Sequence, residues 1–528
     1  MHARSLLALL SGSLVLASRL ATFKQPYDDL KQQAVAAAKY PAQAMKVPVD
    51  HFDKSNKDMF ELRYWVSLEY FKTNGPVVIL LAGETDAEGL TFAFDAPHLG
   101  GRIASRIGAA LVVVEHRFYG QSHVTADLST DSLRFLTTAQ ASADYEYFSR
   151  RFNFAGHDLS APKSFHMITG ASYAGGIAAR CRKLYPGVFP AAIASSALLE
   201  AQLDLWSYYE APRKYGPPQC IRNVQVSIYV IDQLLKHSVE MSRAIKDAFH
   251  VKGEAHNDDL SFWLAIGLQT YREKNWYTKH TSFDAFCSNM TATMRHSAAD
   301  KVTMARLVEQ SGFMTSKWHE HETIDKVTEV MLNYVVWQDA VQRAYGCNGL
   351  AFDACWNFHD SHVDLTYANT GRLWLSQVCK EVGLFQTGSA PVSQLSLVSR
   401  AYSVASELEV CRLNFPRGDR FEFPAKPEVK AWNAVTDGWN IDLPWLAHFV
   451  GEKDMWRVIG PAAPGAPPRK STPEKPFYII EGGYHGSDVI GLDPSFGDIE
   501  VPRAILAAQE IQNEFAEAAY AAWRARKA

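Results

Sequence analysis

The stretch Phe165-His166-Met167-Ile168-Thr169-Gly170-Ala171-Ser172-Tyr173-Ala174-Gly175-Gly176 decides how the rest of the chain is read. Residues 165–169 form a short apolar run of strand character, residues 176–185 continue with helical character, and Pro186-Gly187 stops the helix. Between them lies Gly-x-Ser-x-Gly. A tight strand-to-helix turn projects the serine hydroxyl from the C-terminal edge of a sheet, and small neighbours leave the backbone room to make that turn. The five-residue string also occurs by chance; the strand before it and the helix after it give Ser172 its weight.

Upstream of this turn, strand character appears over 59–71, 77–82 and 109–115, the last two short, continuous and rich in Val, Ile and Leu, as buried parallel strands are. Residues 136–152 have helical periodicity, and a further strand follows the serine turn at 191–195. Alternating strand and helix implies a doubly wound α/β sheet. From 199 to 415 long helical periods replace strands, as in 224–249, 259–271 and 324–345, and strand character resumes at 446–450 and 477–480. A Pro-rich surface loop, 461–476, separates these last two strands. Residues 502–523 form a terminal amphipathic helix with Ile505, Ala508, Ile511, Phe515, Ala518 and Ala522 on one face. The expected architecture is an α/β-hydrolase sheet, residues 22–198 and 416–528, interrupted by a helical cap insertion over 199–415.

With 528 residues, 47% of them hydrophobic and 21% charged, the chain is neither disordered nor fibrous. A formal charge of −4 with Lys and Arg scattered among Asp and Glu gives no nucleic-acid footprint and no polybasic membrane patch. Residues 1–21 read as a secretory signal peptide, basic at the start, then apolar, then small; the apolar run is too short for a membrane span. A secreted protein, or one routed to the vacuolar or lysosomal lumen, is permitted disulfides. Cys220, Cys287, Cys347, Cys355, Cys379 and Cys411 all fall in the insertion, while Cys181 stands alone after the serine turn. Order and proximity pair Cys220 with Cys287, Cys347 with Cys355 and Cys379 with Cys411, a connectivity that sequence alone does not select. Asn289-Met290-Thr291 is a glycosylation sequon, expected at the surface.

A serine hydroxyl needs a base to take its proton and a third group to hold that base in the right tautomer; in this fold they follow in the order acid, then histidine. His485, in Glu481-Gly482-Gly483-Tyr484-His485-Gly486, lies just beyond the last strand in a glycine loop. Two aspartates compete for the third place. Asp454 follows the strand at 446–450 and would emerge at the sheet's C-terminal edge; Asp442 precedes that strand and would emerge at the other. Asp454 is selected on that geometry. The oxyanion donors would be the amides of Tyr173 and of the Gly83-Glu84 region.

Several further motifs resemble the prolyl carboxypeptidase family, which includes dipeptidyl peptidase II, thymus-specific serine protease and fungal acid prolyl endopeptidases. Glu115-His116-Arg117-Phe118-Tyr119-Gly120 is similar to E-H-R-Y-Y-G, and Phe135-Leu136-Thr137 through Gln140-Ala141 and Asp144 to Y-L-T-x-x-Q-A-x-x-D. Ser172 matches the serine of G-G-S-Y-x-G, Asp454 the aspartate of N-G-x-x-D-P-W, and His485 the histidine of G-G-x-H-x-x-D, which ends here at Asp488. Trp374, Cys379 and Glu381 echo W-x-x-x-x-C-x-E. The matches run in order from about residue 45 to 490. Val450, Met455 and Ala171 depart from the family's asparagine, proline and second glycine without removing a catalytic atom.

The resemblance implies hydrolysis of peptide bonds after proline through an acyl-enzyme, with no metal or organic cofactor. A cap that narrows access would favour peptides and unfolded chains as substrates. Trp456 and Trp374 are the candidate walls of a flat, apolar proline pocket, and Glu84 and Glu381 are candidate binders of a substrate amine. Carboxypeptidase, dipeptidyl-peptidase and endopeptidase modes stay open, as does oligomeric state. A lipase or esterase on the same fold, and an inactive hydrolase-like binding protein, are the alternative readings.

Overall fold

The parallel strands of this chain need no polar face, because helices cover both sides of the sheet they form. The computed structural model describes residues 39–527 except 252–254, 348–349, 358, 360–363, 494–495 and 497; the signal-peptide reading of 1–21 lies outside the described residues. Eight strands make the main sheet: β1 (Gln43–Pro48), β2 (Met59–Ser67), β3 (Val77–Leu81), β4 (Ala110–Val114), β5 (His166–Ala171), β6 (Ala191–Ser195), β7 (Leu446–Gly451) and β8 (Phe477–Ile480). Their order is β1-β2-β4-β3-β5-β6-β7-β8. β2 is antiparallel to both its neighbours, and every pairing from β4 to β8 is parallel. This order and these directions are those of an α/β-hydrolase sheet.

Alternation along each strand feeds two cores. Val77, Ile79 and Leu81 of β3 face one, shared with helix α3 (Ser172–Leu184) and the insertion. Val78 and Leu80 face the other, shared with α1 (Leu99–Ile107) and the terminal helix α10 (Arg503–Ala525). Between the hydrolase strands and the serine turn lies α2 (Thr138–Arg151), capped at its start by the Thr137 hydroxyl.

From β6 to β7 the chain is mainly helical. α4 (Pro218–His237), α5 (Val239–Ala248), α6 (Asn257–Gln269), α7 (Ser282–Thr291), α8 (Ile324–Ala344) and α9 (Thr370–Gln377) build most of this region, and a further helix, Val429–Thr436, precedes the return to the sheet. The helix expected over 224–249 is in fact two. Ser238 breaks it with extended backbone and its hydroxyl accepts the Met241 amide, the start signal of α5. A short parallel pair, Gln202–Asp204 with Gly383–Phe385, also lies inside this helical stretch. Three disulfides join Cys220 to Cys287, Cys347 to Cys355 and Cys379 to Cys411, and Cys181 is free and buried. Among the described residues no helix is long and apolar enough to cross a membrane.

The buried face of α10 differs from the apolar stripe read from sequence. Ile505, Ala508 and Phe515 are buried as expected, but Gln512 and Asn513 join them while Ile511 and Ala518 are only partly covered. Hydrogen bonds explain the rotation: Gln512 donates to Asp488 Oδ2 at 2.6 Å and accepts from Arg102 at 2.5 Å, and Asn513 accepts from Arg102 at 3.1 Å.

Candidate active site

Ser172 sits where β5 becomes α3, the helix starting at the serine itself rather than after the glycines. Its φ of 57° is a left-handed conformation that a non-glycine residue adopts only when its surroundings impose it. Two glycines make the imposition possible. A Cβ on Gly170 would lie 2.6 Å from the Ala174 carbonyl, and one on Gly176 would lie 2.2 Å from the Leu198 carbonyl oxygen.

Asp454 and His485 leave the C-terminal ends of β7 and β8, which pair in parallel from His448–Phe477 to Gly451–Ile480. The two loops are stitched together: Glu452 N donates to the Ile480 carbonyl, Lys453 N to the Gly483 carbonyl, and Gly482 N to the Glu452 carboxylate. Gly451 permits the close passage, since a Cβ there would lie 2.3 Å from the Tyr484 carbonyl oxygen. Asp454 is buried and both its oxygens are used. Oδ1 accepts the Trp456 amide at 2.8 Å, and Oδ2 is 2.8 Å from His485 Nδ1. The His485 ring is buried, and its Nε2 has no hydrogen-bond partner among the described residues. Burial lowers the His485 pKa, but the Asp454 charge, the hydrogen bond to it, and the charges of Glu84 and Asp488 prevail and hold it above the ordinary value.

Ser172, Tyr173, Glu84, Ser196, Leu198, Trp374, Trp456 and Ile459 line one cavity. His485 and Ala171 line an adjoining, mostly apolar one, and Glu84 borders both. Burial pushes the Glu84 carboxyl up to about 7, opposed by its own backbone amide and by His485. Gly83 has a φ of 70° and packs on Ala174 in the first turn of α3, which places the Gly83-Glu84 turn beside the serine. Trp374 and Trp456 thus both reach the serine cavity. Trp456 packs edge-on against Tyr208 at 4.7 Å, and Trp374 edge-on against Tyr173 at 5.3 Å.

Other sequence candidates lie elsewhere. Both Glu381 oxygens accept from Thr138 N, at 3.1 and 3.0 Å, and Oε2 also accepts from Thr138 Oγ1 at 3.1 Å, so this carboxylate caps the start of α2 rather than facing the serine cavity. The rejected Asp442 pairs with Lys475 at 2.8 Å, ahead of β7. Asn289 is part-buried on α7 rather than in an exposed loop, and its Nδ2 donates to the Asn333 carbonyl at 2.7 Å. Burial pushes the Cys181 thiol up to about 12, which leaves it unreactive. His256, Asp259 and His359 each offer one metal-ligand atom, all within 4.8 Å of one another, in the helical region, and none of them lines the serine cavity.

Sequence reasoning missed the residues that hold the histidine loop. Ser196 accepts the Gly486 amide at 3.0 Å, and the buried Asp488 accepts from Ser195 Oγ at 2.7 Å as well as from Gln512. Asp488 carried a signal, as the last residue of the histidine motif; Ser196, one residue past β6, carried none.

A model of the family described as "Serine carboxypeptidase S28" matches residues 47–489. The "Probable extracellular serine carboxypeptidase" of Arthroderma benhamiae is 31% identical over 493 residues, 89% of this chain and 66% of that protein. "Serine protease vicPa" of Bipolaris victoriae is 27% identical over 83% of this chain and 82% of its own length. The "Lysosomal Pro-X carboxypeptidase" of Bos taurus is 30% identical over 40% of this chain and 44% of its own length.

Proposed function

Since the chain belongs to the serine carboxypeptidase S28 family, a family of serine peptidases, we propose that Ser172 is the nucleophile, His485 the general base and Asp454 the carboxylate that orients it. The observation that carries this reading is the 2.8 Å contact between His485 Nδ1 and Asp454 Oδ2. A proton on Nδ1 directed at Asp454 leaves Nε2 as an acceptor, and this atom is buried with no hydrogen-bond partner among the described residues. Nε2 takes the proton as Ser172 Oγ bonds to the substrate carbonyl carbon, then returns it to the leaving amine as the C–N bond breaks. Water repeats the sequence on the acyl-enzyme. The Tyr173 amide, in the first turn of α3 and so without a helical acceptor, serves the oxyanion together with the Gly83-Glu84 turn.

The bond cut is the one after proline. Trp374 and Trp456 offer flat apolar surfaces beside Ser172, suited to a pyrrolidine ring, and a relative named as a Pro-X carboxypeptidase supports the assignment. The signal-like start of the sequence and the extracellular and lysosomal names among the relatives support action outside the cytosol.

Fluorophosphonate labelling combined with peptide hydrolysis tests this. The expected outcome is labelling that disappears in Ser172→Ala, and kcat/KM at least about 10-fold higher with proline than with alanine before the scissile bond. Labelling that persists in Ser172→Ala would exclude the nucleophile, and equal rates on the two substrates would exclude the proline pocket.

A further inference from the structure

The residue after the nucleophile is gripped from the helical insertion. Tyr173 is 1% exposed, and its phenol oxygen lies 2.5 Å from Gln377 Nε2, 3.1 Å from Thr138 Oγ1 and 3.3 Å from His116 Nε2. Gln377 is the last residue of α9, wholly buried, and its Oε1 accepts from Tyr119 OH at 2.7 Å. One turn earlier on α9, Trp374 packs against the Tyr173 ring. Insertion and hydrolase core therefore meet on this one side chain.

Proton accounting allows a single orientation of the Gln377 amide. His116 Nδ1 is 2.8 Å from the Arg117 carbonyl and must donate to it. Burial pushes His116 down to about 4, so the ring is neutral and its Nε2 can only accept. The Thr138 hydroxyl donates to Glu381 Oε2, so toward Tyr173 it too offers only an acceptor. The one proton of the Tyr173 phenol is thus committed to His116 or Thr138, and Gln377 must be the donor to Tyr173 and the acceptor from Tyr119. A reversed amide would leave Tyr173 with one proton for acceptors on every side.

We infer that Gln377 is a positioning residue for the reaction: by fixing the Tyr173 phenol it fixes the first turn of α3, and with it the Tyr173 amide that faces the oxyanion. This rests on the serine-peptidase reading above. A misplacement of about 1 Å at a reacting group can cost on the order of 10²-fold, and loss of one oxyanion donor costs about 10²- to 10³-fold. The insertion then contributes to turnover itself, beyond forming a wall of the substrate pocket.

A double-mutant cycle of Gln377→Ala and Tyr173→Phe tests the inference, read as kcat, KM and the second-order rate of fluorophosphonate labelling. Each single variant is expected to lower kcat and the labelling rate about 10-fold or more with KM within about twofold, and the double variant to lose no more than the worse single one. Tyr173→Phe removes one oxygen and keeps the amide and the ring, so it reports even if Gln377→Ala fails to fold. Gln377→Glu, with only acceptors toward Tyr173 when ionised, is expected to lose as much as the alanine. Rates within about twofold of wild type, losses that multiply, or losses confined to KM would overturn the inference. A wild-type protein that takes no label would instead overturn the serine reading on which it rests.

Discussion

Strands β3, β4 and β6 are buried at every position, and no disulfide touches the sheet, whereas all three disulfides lie between Cys220 and Cys411 in the helical region. The two regions also divide the chemistry. Ser172, Asp454 and His485 all leave the C-terminal ends of sheet strands, while Trp374 and Gln377 come from the insertion. Continuous apolar burial gives the sheet edges the rigidity that the three proposed reacting groups require. The insertion wraps that edge and is cross-linked within itself, so the surface it offers the substrate is held by covalent staples as well as by packing.

The most severe test of the division compares the two ends of β7. Asp454→Asn is expected to lower kcat about 10⁴-fold, because an amide no longer selects the His485 tautomer that leaves Nε2 free. Asp442→Asn should leave kcat/KM within about twofold, since the half-exposed pair with Lys475 is worth less than about 1 kcal/mol. Comparable losses in the two variants, measured by steady-state kinetics, would show that polarity of the strand does not locate the acid.

The staples provide a second, intermediate test. Loop-closure entropy ranks them by sequence separation, 67 residues for Cys220–Cys287 and 8 for Cys347–Cys355. Replacing the first pair by serine should therefore cost about 2 kcal/mol more than replacing the second, measured by denaturant unfolding. The reverse order would mean that packing around each bridge, rather than constraint of the unfolded chain, stabilises the insertion.

The smallest expected effect concerns Glu84, which borders both cavities at the sheet edge. His485 must be neutral to accept a proton, so with its pKa raised, activity is lost as pH falls through that raised value. Glu84 contributes to the raising, and Glu84→Gln should move the acid limb of the kcat/KM profile to lower pH. An unmoved limb, or one displaced upward, would show that the Glu84 charge does not raise the pKa of the base.

Strand β5, the serine turn and α3 were legible because apolar runs, glycines and Pro186-Gly187 are local signals, and β7 and β8 were legible for the same reason. Strand β1 was not. It is an edge strand with mostly half-exposed residues, and its identity depends on pairing with β2. The motif around Glu381 carries no direction, so sequence leaves it open between an amine binder and a structural carboxylate; packing against α2 turns both its oxygens to Thr138. The motif residues Glu115, Arg117 and Asp144 prove to be buried scaffolding. Arg117 holds Asp144 through two bonds of 2.6 and 2.7 Å, and Glu115 holds Arg63 and Ser122.

Residue order alone determined the α/β alternation and the serine turn, which depend on neighbours a few positions apart, and it set the succession of Ser172, Asp454 and His485 along the chain. The meeting of Asp454 with His485, the grip of Gln377 on Tyr173 and the burial of Gln512 against Asp488 were decided only in three dimensions. Each is a hydrogen bond between groups brought together by strand register or helix packing, and the directions of those groups follow from contacts that no local pattern encodes.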